Sequence, residues 1–496
     1  MNILAVDVGT TSMRGILFSK SGTVLASASR LTPMIYTGQW IEQDPDVFTG
    51  GLVSICTEIA ALHPVDAISL TAFRSAPALV DRQEKALTRF IMWQDTRNKD
   101  ICESLSPHNS HVHQKSGAVI NTVFTATKIR WFRDHMPDIY QKAYKAMVVP
   151  DYMMLFMTGE FVTDHTYGSR SSLMNLRTLC WDDDLLEIFG VDKEKLCSLI
   201  PQGTVAGTVT EGFARLTGIP AGVPVVSAGG DQQCGALGLG VLDERTLEIN
   251  SGTGSYIISL IGEPNFDNQS LICNVSAIQG KYTLESGVLA SAAALNWLMR
   301  TFYPDIMGEP PDYEAFNRLA ASSPPGANGL YCLPHFQGCG TRRWDPDARA
   351  GFLGFTLSHT RGDMARALYE GICGEIVKSV QALPDICRRA EQVHIAGGLT
   401  GSGIFNRILC DMLDRPLIKA GNAQATAIGA FVSAGVALHV FPDHAAGVKA
   451  ARAGDATVRY TPDPQTARLY RNYLSDSEAL FDSLSAFKAR KGDSCP

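Results

Sequence analysis

The sequence predicts an α/β protein built from two similar halves, and three observations lead to this prediction. In the first quarter of the chain, short apolar runs typical of strands alternate with an amphipathic helical stretch. A strand, a turn of glycine and hydroxyl residues, and a second strand open the chain and recur near residue 247. A third glycine-rich turn follows a later strand and precedes an amphipathic helix.

The first half is predicted to consist of strands, a helix and further strands. Apolar runs at residues 3–6, 14–18 and 23–28 are separated by turn signals at Gly9 and at Ser21-Gly22. Between residues 45 and 62, apolar side chains recur at a spacing near 3.6, which predicts a helix. Two more strands, at 67–71 and 78–80, flank the segment that contains Arg74.

A later strand, at residues 223–227, is predicted to end at Gly229-Gly230. Asp231 stands at this break, and a helix is expected at 232–238. The second half then opens with two strands around the turn at 251–255. It continues with helices near 290–300 and 364–383, a strand at 393–396 and a helix at 404–413. These patterns predict two domains, 1–245 and 246–496.

Composition excludes several classes of protein. The chain is 45% hydrophobic and 19% charged, with a net charge of −7 and a pI near 5.9. This balance gives no electrostatic reason to bind nucleic acid or an anionic membrane. The 12 cysteines form no C-x-x-C pair, so a zinc ribbon is not expected and the thiols are predicted to be reduced. No signal peptide or apolar span of about 18 residues is apparent, which predicts a cytoplasmic protein.

The glycine-rich turns can bind phosphate, because exposed backbone N–H groups and flanking hydroxyls donate hydrogen bonds to phosphate oxygens. A single such turn also suits an ordinary hairpin, but two in corresponding places, Gly9–Ser12 and Ser251–Ser255, favour phosphate binding. The chain contains no G-x-x-x-x-G-K-[ST] sequence. The stretch "GGLTGSG" does not match a dinucleotide-binding fingerprint.

Charged residues stand beside these turns. Asp7 ends a buried strand and can hold Mg²⁺, or it can cap the turn. Asp231 can take a proton from a substrate hydroxyl, or it can cap the following helix. Arg14 can add positive charge at the phosphates or be a solvated strand residue.

Five motifs in order resemble the FGGY carbohydrate kinases, a family of the actin-like ATPase superfamily. They are "DVGTTSMRGILFSKSGTVL", "GQWIEQDPDVF", "SAGGDQQCGALGLG", "NSGTGSY" and "AGGLTGSGIFNRILCDMLDRP". The resemblance covers nearly the full length of the chain. It implies two ribonuclease-H-like domains, with ATP, Mg²⁺ and a sugar or polyol meeting in an interdomain catalytic cleft, and it is compatible with a homodimer.

The resemblance also implies a role for each motif residue. The general base would be Asp231, and Asp7 would assist the metal. The residues expected at the nucleotide are Thr10, Thr11 and Arg14 on one side of the phosphates, Gly252 and Thr253 on the other, and Gly398 and Ser402 near the nucleoside.

Substrate choice is predicted from the segment "TAFRSAPALVD" and its neighbours. Arg74 fits the Arg-Glu pair of glycerol kinases, but Ser75 does not, and Val123 replaces an expected aromatic contact. Because two hydroxyl partners are lost, we expect a small linear polyol or ketose, with glycerol disfavoured. Arg74, Ser75 and Asp231 are expected to contact the substrate. Trp93 and Gln232 are further expected contacts, although Trp93 also suits a core position and Arg74 a structural ion pair.

Two other classes of protein would also contain these phosphate-binding turns. One is an actin-like ATPase that works as a chaperone or filament, which would have no need of Asp231-Gln232 beside a sugar pocket. The other is a catalytically retired kinase that serves as a sugar-responsive regulator. The presence of Asp7, Asp231 and all three turns favours an active kinase.

Overall fold

The computed structural model of the chain describes residues 1–345, 347–421 and 424–492, and these contain 24 strands and 18 α-helices. The strands are β1 (Asn2–Val8), β2 (Ser12–Ser19), β3 (Val24–Leu31), β4 (Ile35–Thr37), β5 (Trp40–Gln43), β6 (Ala67–Ala72), β7 (Pro77–Val80), β8 (Phe90–Ile91), β9 (Lys145–Val148), β10 (Val162–Asp164), β11 (Met174–Asn175), β12 (Cys180–Trp181), β13 (Ser198–Ile200), β14 (Thr204–Thr208), β15 (Pro224–Gly230), β16 (Thr246–Ser251), β17 (Ser255–Ile261), β18 (Ile272–Val275), β19 (Tyr282–Val288), β20 (Tyr331–Leu333), β21 (Gly351–Leu353), β22 (Gln392–Ala396), β23 (Leu417–Ala420) and β24 (Thr457–Tyr460).

The helices are α1 (Pro45–Ala60), α2 (Lys99–Leu105), α3 (Asn109–Ser116), α4 (Thr125–His135), α5 (Pro137–Lys142), α6 (Val149–Thr158), α7 (His165–Ser169), α8 (Asp183–Phe189), α9 (Glu211–Thr217), α10 (Asp231–Leu239), α11 (Ala292–Phe302), α12 (Tyr313–Ser322), α13 (Arg361–Gln381), α14 (Asp385–Arg388), α15 (Gly403–Leu413), α16 (Ala425–Ala437), α17 (His444–Ala451) and α18 (Pro464–Gly492). None of the helices in the described residues is long and apolar enough to cross a membrane.

The chain folds into two units, each made of several segments. The first unit comprises Met1–Leu242, Leu260–Leu284 and Gln424–Gly454. The second unit takes in the described residues of Asp243–Ser259, Glu285–Ala423 and Asp455–Pro496. Segments that lie far apart in sequence, such as α16 and α17, therefore belong to the first unit.

The first unit is built on a six-stranded sheet in the order β14-β15-β6-β1-β2-β3. Strands β1, β2 and β3 are antiparallel neighbours, whereas β1, β6 and β15 run parallel to one another. Because β1, β6 and β15 run parallel, the residues that follow them emerge at one edge of the sheet. The turn after β1, the turn after β6 and the start of α10 therefore share that edge.

Alternating side chains of β1 are buried on opposite faces of this sheet. Leu4 and Val6 pack in a cluster with α1, whose Leu52 and Ile55 point to the sheet. Ile3 and Ala5 belong to a second cluster that contains residues of α10 and α16, such as Phe431. This period of two, with helices on both faces, gives the first unit a three-layer α/β/α architecture.

The second unit repeats the topology of the first. Strands β16 and β17 are an antiparallel pair, and β22 lies parallel to β16, as β6 does to β1. Strand β23 runs parallel to β22, and β24 is antiparallel to β23. The predicted α/β fold with two ribonuclease-H-like halves is confirmed by this repetition.

One expected strand end is wrong. The two glycines do not break the strand, because β15 continues through Gly230 and α10 begins at Asp231. The pairing of β15 with β6 instead shifts between Ser227 and Gly229, which is a bulge. Gly229 has a φ of 115°, a conformation that side-chain-bearing residues rarely adopt.

Candidate active site

Asp7 lies near the carboxyl end of β1, between Arg14 on β2 and Thr71 on β6. The pKa of Asp7 is raised to about 7, mainly by burial and also by the negative charge of Asp231, while Arg14 opposes the shift. The two carboxylates are therefore close enough to interact. Such a pair fits Mg²⁺, because this cation takes oxygen ligands and its charge would offset the repulsion between them.

The turn after β1 is closed by a hydrogen bond from the N–H of Gly9 to the carbonyl of Ser12, at 2.9 Å. Thr10 is partly buried, and Thr11 and the side chain of Arg14 are exposed. The hydroxyl of Thr11 and the guanidinium of Arg14 are thus accessible to a ligand, and phosphate binding at this turn stays a prediction.

Gln43, at the end of β5, fixes the backbone of this turn and was not identified from the sequence. Its buried Nε2 donates to the carbonyls of Thr10, at 2.8 Å, and Thr32, at 2.6 Å. The N–H of Thr32 in turn donates to the carbonyl of Thr11, at 3.0 Å. Because these carbonyls are held on the protein side, the turn keeps one conformation. The sequence signal that could have identified Gln43 is the motif "WIEQDP", which contains this glutamine. In the structure the glutamine is buried at the end of a short strand.

Asp231 is the first residue of α10, directly after β15. Its Oδ1 accepts a hydrogen bond from the N–H of Gln232, at 2.8 Å, and lies 3.5 Å from Nε of Arg74. About a quarter of the Asp231 side chain, 26%, is exposed. A carboxylate held in this way is oriented and open to solvent on one side, which suits a general base.

Arg74 lies in the turn between β6 and β7, and its side chain is buried. Its Nη1 donates to Oε1 of Gln233, at 3.3 Å, and the Nε2 of Gln233 donates to the carbonyl of Val275, at 3.3 Å. The aliphatic part of Arg74 passes over Gly230, where a Cβ atom would lie 2.8 Å from its Cδ. Gly230 therefore makes the room for Arg74 to reach Asp231.

Ser75 is buried and has a φ of 70°, in the left-handed region. Its Oγ donates to the backbone carbonyl of Arg170, at 3.3 Å. This bond turns the hydroxyl of Ser75 toward the protein, and its contact with a substrate stays a prediction.

Trp93 is partly buried and packs against the core beside α1. Its carbonyl accepts a hydrogen bond from Nζ of Lys128 at 3.5 Å, and the same Nζ donates to the carbonyls of Thr122, at 2.8 Å, and Val123, at 3.1 Å. Lys128 is completely buried, and this burial lowers its pKa to about 7. The lysine therefore joins two segments that the sequence assigned to substrate binding.

Gln232 is partly buried on the first turn of α10. Its Oε1 atom is buried and has no hydrogen-bond partner among the residues that the structure describes. Because a buried acceptor without a donor is costly, this atom suits a substrate hydroxyl.

The turn at 251–255 of the second unit is anchored to the start of α11. The carbonyl of Gly252 accepts from the N–H of Ala292, at 3.0 Å, and that of Thr253 accepts from the N–H of Ser291, at 2.8 Å. Thr253 is exposed, and a Cβ atom on Gly252 would meet nothing within 4 Å. The turn is thus fixed through its carbonyls while its other side is open.

Gly398 and Ser402 lie in the loop between β22 and α15. Gly398 begins a short 3₁₀ turn and has open space where a Cβ would stand. Ser402 is buried and caps α15, accepting from the N–H of Phe405 at 3.2 Å and donating to Oδ1 of Asn317 at 2.7 Å. Its hydroxyl is already engaged in these two bonds, and contact with a nucleoside stays a prediction for both residues.

Comparison with family models identifies both halves of the chain. Residues 2–238 match the N-terminal domain of the FGGY family of carbohydrate kinases. Residues 247–438 match the C-terminal domain of the same family.

Curated relatives include kinases for different substrates. A glycerol kinase from Thermococcus onnurineus is 30% identical over 453 residues, covering 88% of this chain and 89% of the relative. A gluconokinase from Bacillus licheniformis is 27% identical over 448 residues, covering 87% and 86%.

Solved structures share the fold over almost the whole length. A xylulose kinase from Rhodospirillum rubrum has a TM-score of 0.91 at 28% identity, with 98% of this chain and 99% of that chain covered. A glycerol kinase from Plasmodium falciparum with ADP has a TM-score of 0.88 at 23% identity, with 96% and 97% covered.

These comparisons support a sugar or polyol kinase rather than the actin-like chaperone, the filament or the retired regulator. The chain belongs to the FGGY family of carbohydrate kinases and is an ATP-dependent phosphotransferase that acts on an alcohol group.

Proposed function

We propose that this kinase phosphorylates a terminal hydroxyl of a small linear polyol or ketose, with Asp231 as the general base. The observation that carries the proposal is the position of Asp231. The residue stands at the start of a helix, is partly open to solvent, and is paired with a buried arginine. A carboxylate held in this position can accept a proton from a bound alcohol.

The reaction is an in-line phosphoryl transfer. The proton of the substrate hydroxyl passes to the carboxylate of Asp231 as the oxygen forms a bond to the γ-phosphorus, and the bond to the β-phosphate oxygen breaks to release ADP. Mg²⁺, when bound, neutralises charge on the phosphates, and Asp7 is the residue proposed to hold it, through water.

The nucleotide is proposed to bind the glycine-rich turns. Thr10, Thr11 and Arg14 would contact the phosphates from the first unit. In the second unit, Gly252 and Thr253 would contact the phosphates, and the loop that contains Gly398 and Ser402 would lie near the nucleoside. This assigns sugar binding and the base to residues 1–245 and nucleotide binding to residues 246–496.

The substrate class follows from the side chains beside the base. Arg74, Gln232 and Trp93 are proposed to contact the acceptor, with Arg74 and Gln232 recognising its hydroxyls. The side chain of Val123 offers no hydrogen bond, and the hydroxyl of Ser75 is directed to a backbone carbonyl. A pocket of this composition would leave glycerol's hydroxyls poorly matched, so glycerol is a weaker candidate than a longer polyol or a ketose. We also propose that the protein is cytoplasmic and forms a homodimer.

The experiment that tests the proposal measures ADP release with ATP and Mg²⁺ across a panel of polyols, ketoses and gluconate. We expect a strong rise in ADP release with one or a few linear polyols or ketoses, and a smaller rise with glycerol. A response to glycerol or gluconate that exceeds every other compound would overturn the substrate class. A flat response across the panel would overturn the function itself.

A further inference from the structure

Two side chains of the proposed site are delivered by neighbouring parallel strands. Arg74 follows the end of β6 and Asp231 follows the end of β15. In the ladder between these strands, Ala72 is paired with Gly230. The distance between Arg74 and Asp231 therefore depends on how the ends of β6 and β15 are held together.

A single tyrosine hydroxyl bridges these two strand ends. The hydroxyl of Tyr167 accepts a hydrogen bond from the N–H of Ala72, at 3.0 Å, and donates one to the carbonyl of Gly229, at 2.8 Å. Tyr167 is 4% exposed, so water does not compete for these bonds. The carbonyl of Gly229 also accepts from the hydroxyl of Thr71, at 2.7 Å.

Tyr167 is itself held by a buried carboxylate at the start of α7. Asp164 caps this helix, accepting from the N–H groups of Thr166, at 2.8 Å, and Tyr167, at 3.4 Å. Asp164 is fully buried and also accepts from the hydroxyl of Ser227 on β15, at 2.5 Å. The helix is thus fastened to β15 on the N-terminal side of the bulge.

Helix α7 is also hydrogen-bonded to β15 on the C-terminal side of the bulge. The hydroxyl of Thr166 donates to Asp164, at 2.5 Å, so its oxygen is free to accept from the N–H of Gly230, at 2.9 Å. Gly230 is the residue directly before Asp231. The carbonyl of Gly229 and the N–H of Gly230, which directly precede the base, are therefore both bonded to side chains of α7.

We propose that Tyr167 is a positioning residue for the phosphoryl transfer, which fixes the spacing between Arg74 and Asp231 by bridging Ala72 and Gly229. This inference rests on the proposed role of Asp231. Tyr167 does not touch the substrate; it acts through the base. No local pattern in the sequence indicates this role, because the partners of Tyr167 lie 95 and 62 positions away along the chain.

The conservative variant Tyr167→Phe removes the hydroxyl and keeps the ring in the core. Without the hydroxyl, the N–H of Ala72 loses its acceptor and the strand ends can move apart. Because misplacement of a catalytic group by about 1 Å can cost 100-fold in rate, we expect kcat to fall about 10-fold to 100-fold. The KM for ATP should stay within about twofold, since the variant leaves the nucleotide residues unchanged.

A double-mutant cycle separates positioning from a general structural role. The enzymes compared are the wild type, Tyr167→Phe, Asp231→Asn and the double variant, each with kcat normalised to the folded fraction from circular dichroism. If Tyr167 acts through Asp231, the double variant is no slower than Asp231→Asn alone. A matched control is Tyr282→Phe, which removes a hydroxyl that donates to the carbonyl of Leu176 and should leave kcat unchanged.

The outcomes distinguish this inference from the proposed function. A normalised kcat within twofold of wild type in Tyr167→Phe, or rate losses that multiply in the double variant, would overturn the role of Tyr167. If Asp231→Asn itself keeps wild-type turnover, Asp231 is not the general base. The inference about Tyr167, which depends on that role, is then overturned as well. A slow Tyr167→Phe with a non-additive cycle supports both.

Discussion

The Nε atom of Arg74 lies 3.5 Å from Oδ1 of Asp231, and the two side chains are 7% and 26% exposed. In a partly buried setting this attraction limits the rotation of the carboxylate. The partially exposed carboxylate remains open to a substrate hydroxyl. The ion pair therefore fixes the position of Asp231, the proposed general base.

Gly230 provides the space for this ion pair, and Gly230→Ala is predicted to impair catalysis. The added Cβ would lie 2.8 Å from Cδ of Arg74 and 2.6 Å from Oε1 of Gln233, so Arg74 must shift. We expect kcat/KM for the acceptor to fall about 10-fold to 100-fold. The matched control is Gly212→Ala in α9, where the nearest atom is 3.8 Å away and kinetics should be unchanged. Equal kinetics in the two variants would show that the position of Arg74 does not matter.

Gln43 holds the first phosphate turn, and Gln43→Leu is predicted to weaken use of ATP. The variant leaves the carbonyls of Thr10 and Thr32 without their donor, and each such loss costs about 1–2 kcal/mol. If part of this cost appears in nucleotide binding, the KM for ATP should rise about 5-fold to 30-fold with a smaller change for the acceptor. Gln141→Leu, at an exposed site, is the control. A larger rise in the KM for the acceptor than in the KM for ATP would contradict the prediction that Gln43 supports nucleotide binding.

Lys128 joins the segments around Trp93 and Val123, and Lys128→Met is predicted to weaken acceptor binding. Methionine fills a similar volume but cannot donate to the three carbonyls that the ammonium group now serves. We expect the KM for the acceptor to rise at least fivefold while the KM for ATP stays the same. Steady-state kinetics beside Lys142→Met, at an exposed site, would check this; an unchanged acceptor KM would contradict it.

Glu248 on β16 is predicted to make stability depend on pH. It is completely buried, and this burial, helped by the charge of Glu285, raises its pKa to about 8, while Asn250 opposes the shift. Below the ordinary pKa of 4.5 the group is protonated in both states. Between pH 4.5 and 8 only the unfolded chain loses the proton. As the pH rises through this range, the free energy of unfolding therefore falls by up to about 1.4 kcal/mol per pH unit.

Glu248→Gln removes this titration. Thermal unfolding should show the variant more stable than the wild type at pH 8, with the two converging near pH 4.5. The exposed Glu103→Gln serves as the control and should follow the wild type at both pH values. A stability difference that does not change with pH would contradict the raised pKa.

The sequence predicts most of the architecture because the deciding signals are local. Periods of 2 and 3.6 mark β1 and α1, and the glycine-hydroxyl turns mark the ends of β1 and β16. The repeat of a hairpin followed by a parallel strand was visible for the same reason. The early strands extend one to three residues beyond their predicted ends, since backbone pairing continues past the apolar run.

Other features depend on contacts between distant residues. The glycines before Asp231 stay in β15 because β6 and α7 hold their backbone groups, and neither neighbour is visible in the local sequence. Helix α16 belongs to the first unit because Gly429 lets it approach the backbone of Cys234 on α10. Gln43 and Tyr167 act on turns far from them in sequence. Local pattern therefore predicted the candidate base and turns but not the residues that hold them.

The turnover of Asp231→Asn, measured with the best acceptor from the panel, tests the role of this carboxylate in catalysis. The amide keeps the size and shape of the carboxylate but cannot take the proton, so we expect kcat to fall about 10²-fold to 10⁴-fold in a normally folded protein. Turnover close to that of the wild type would contradict the central claim that Asp231 is the general base.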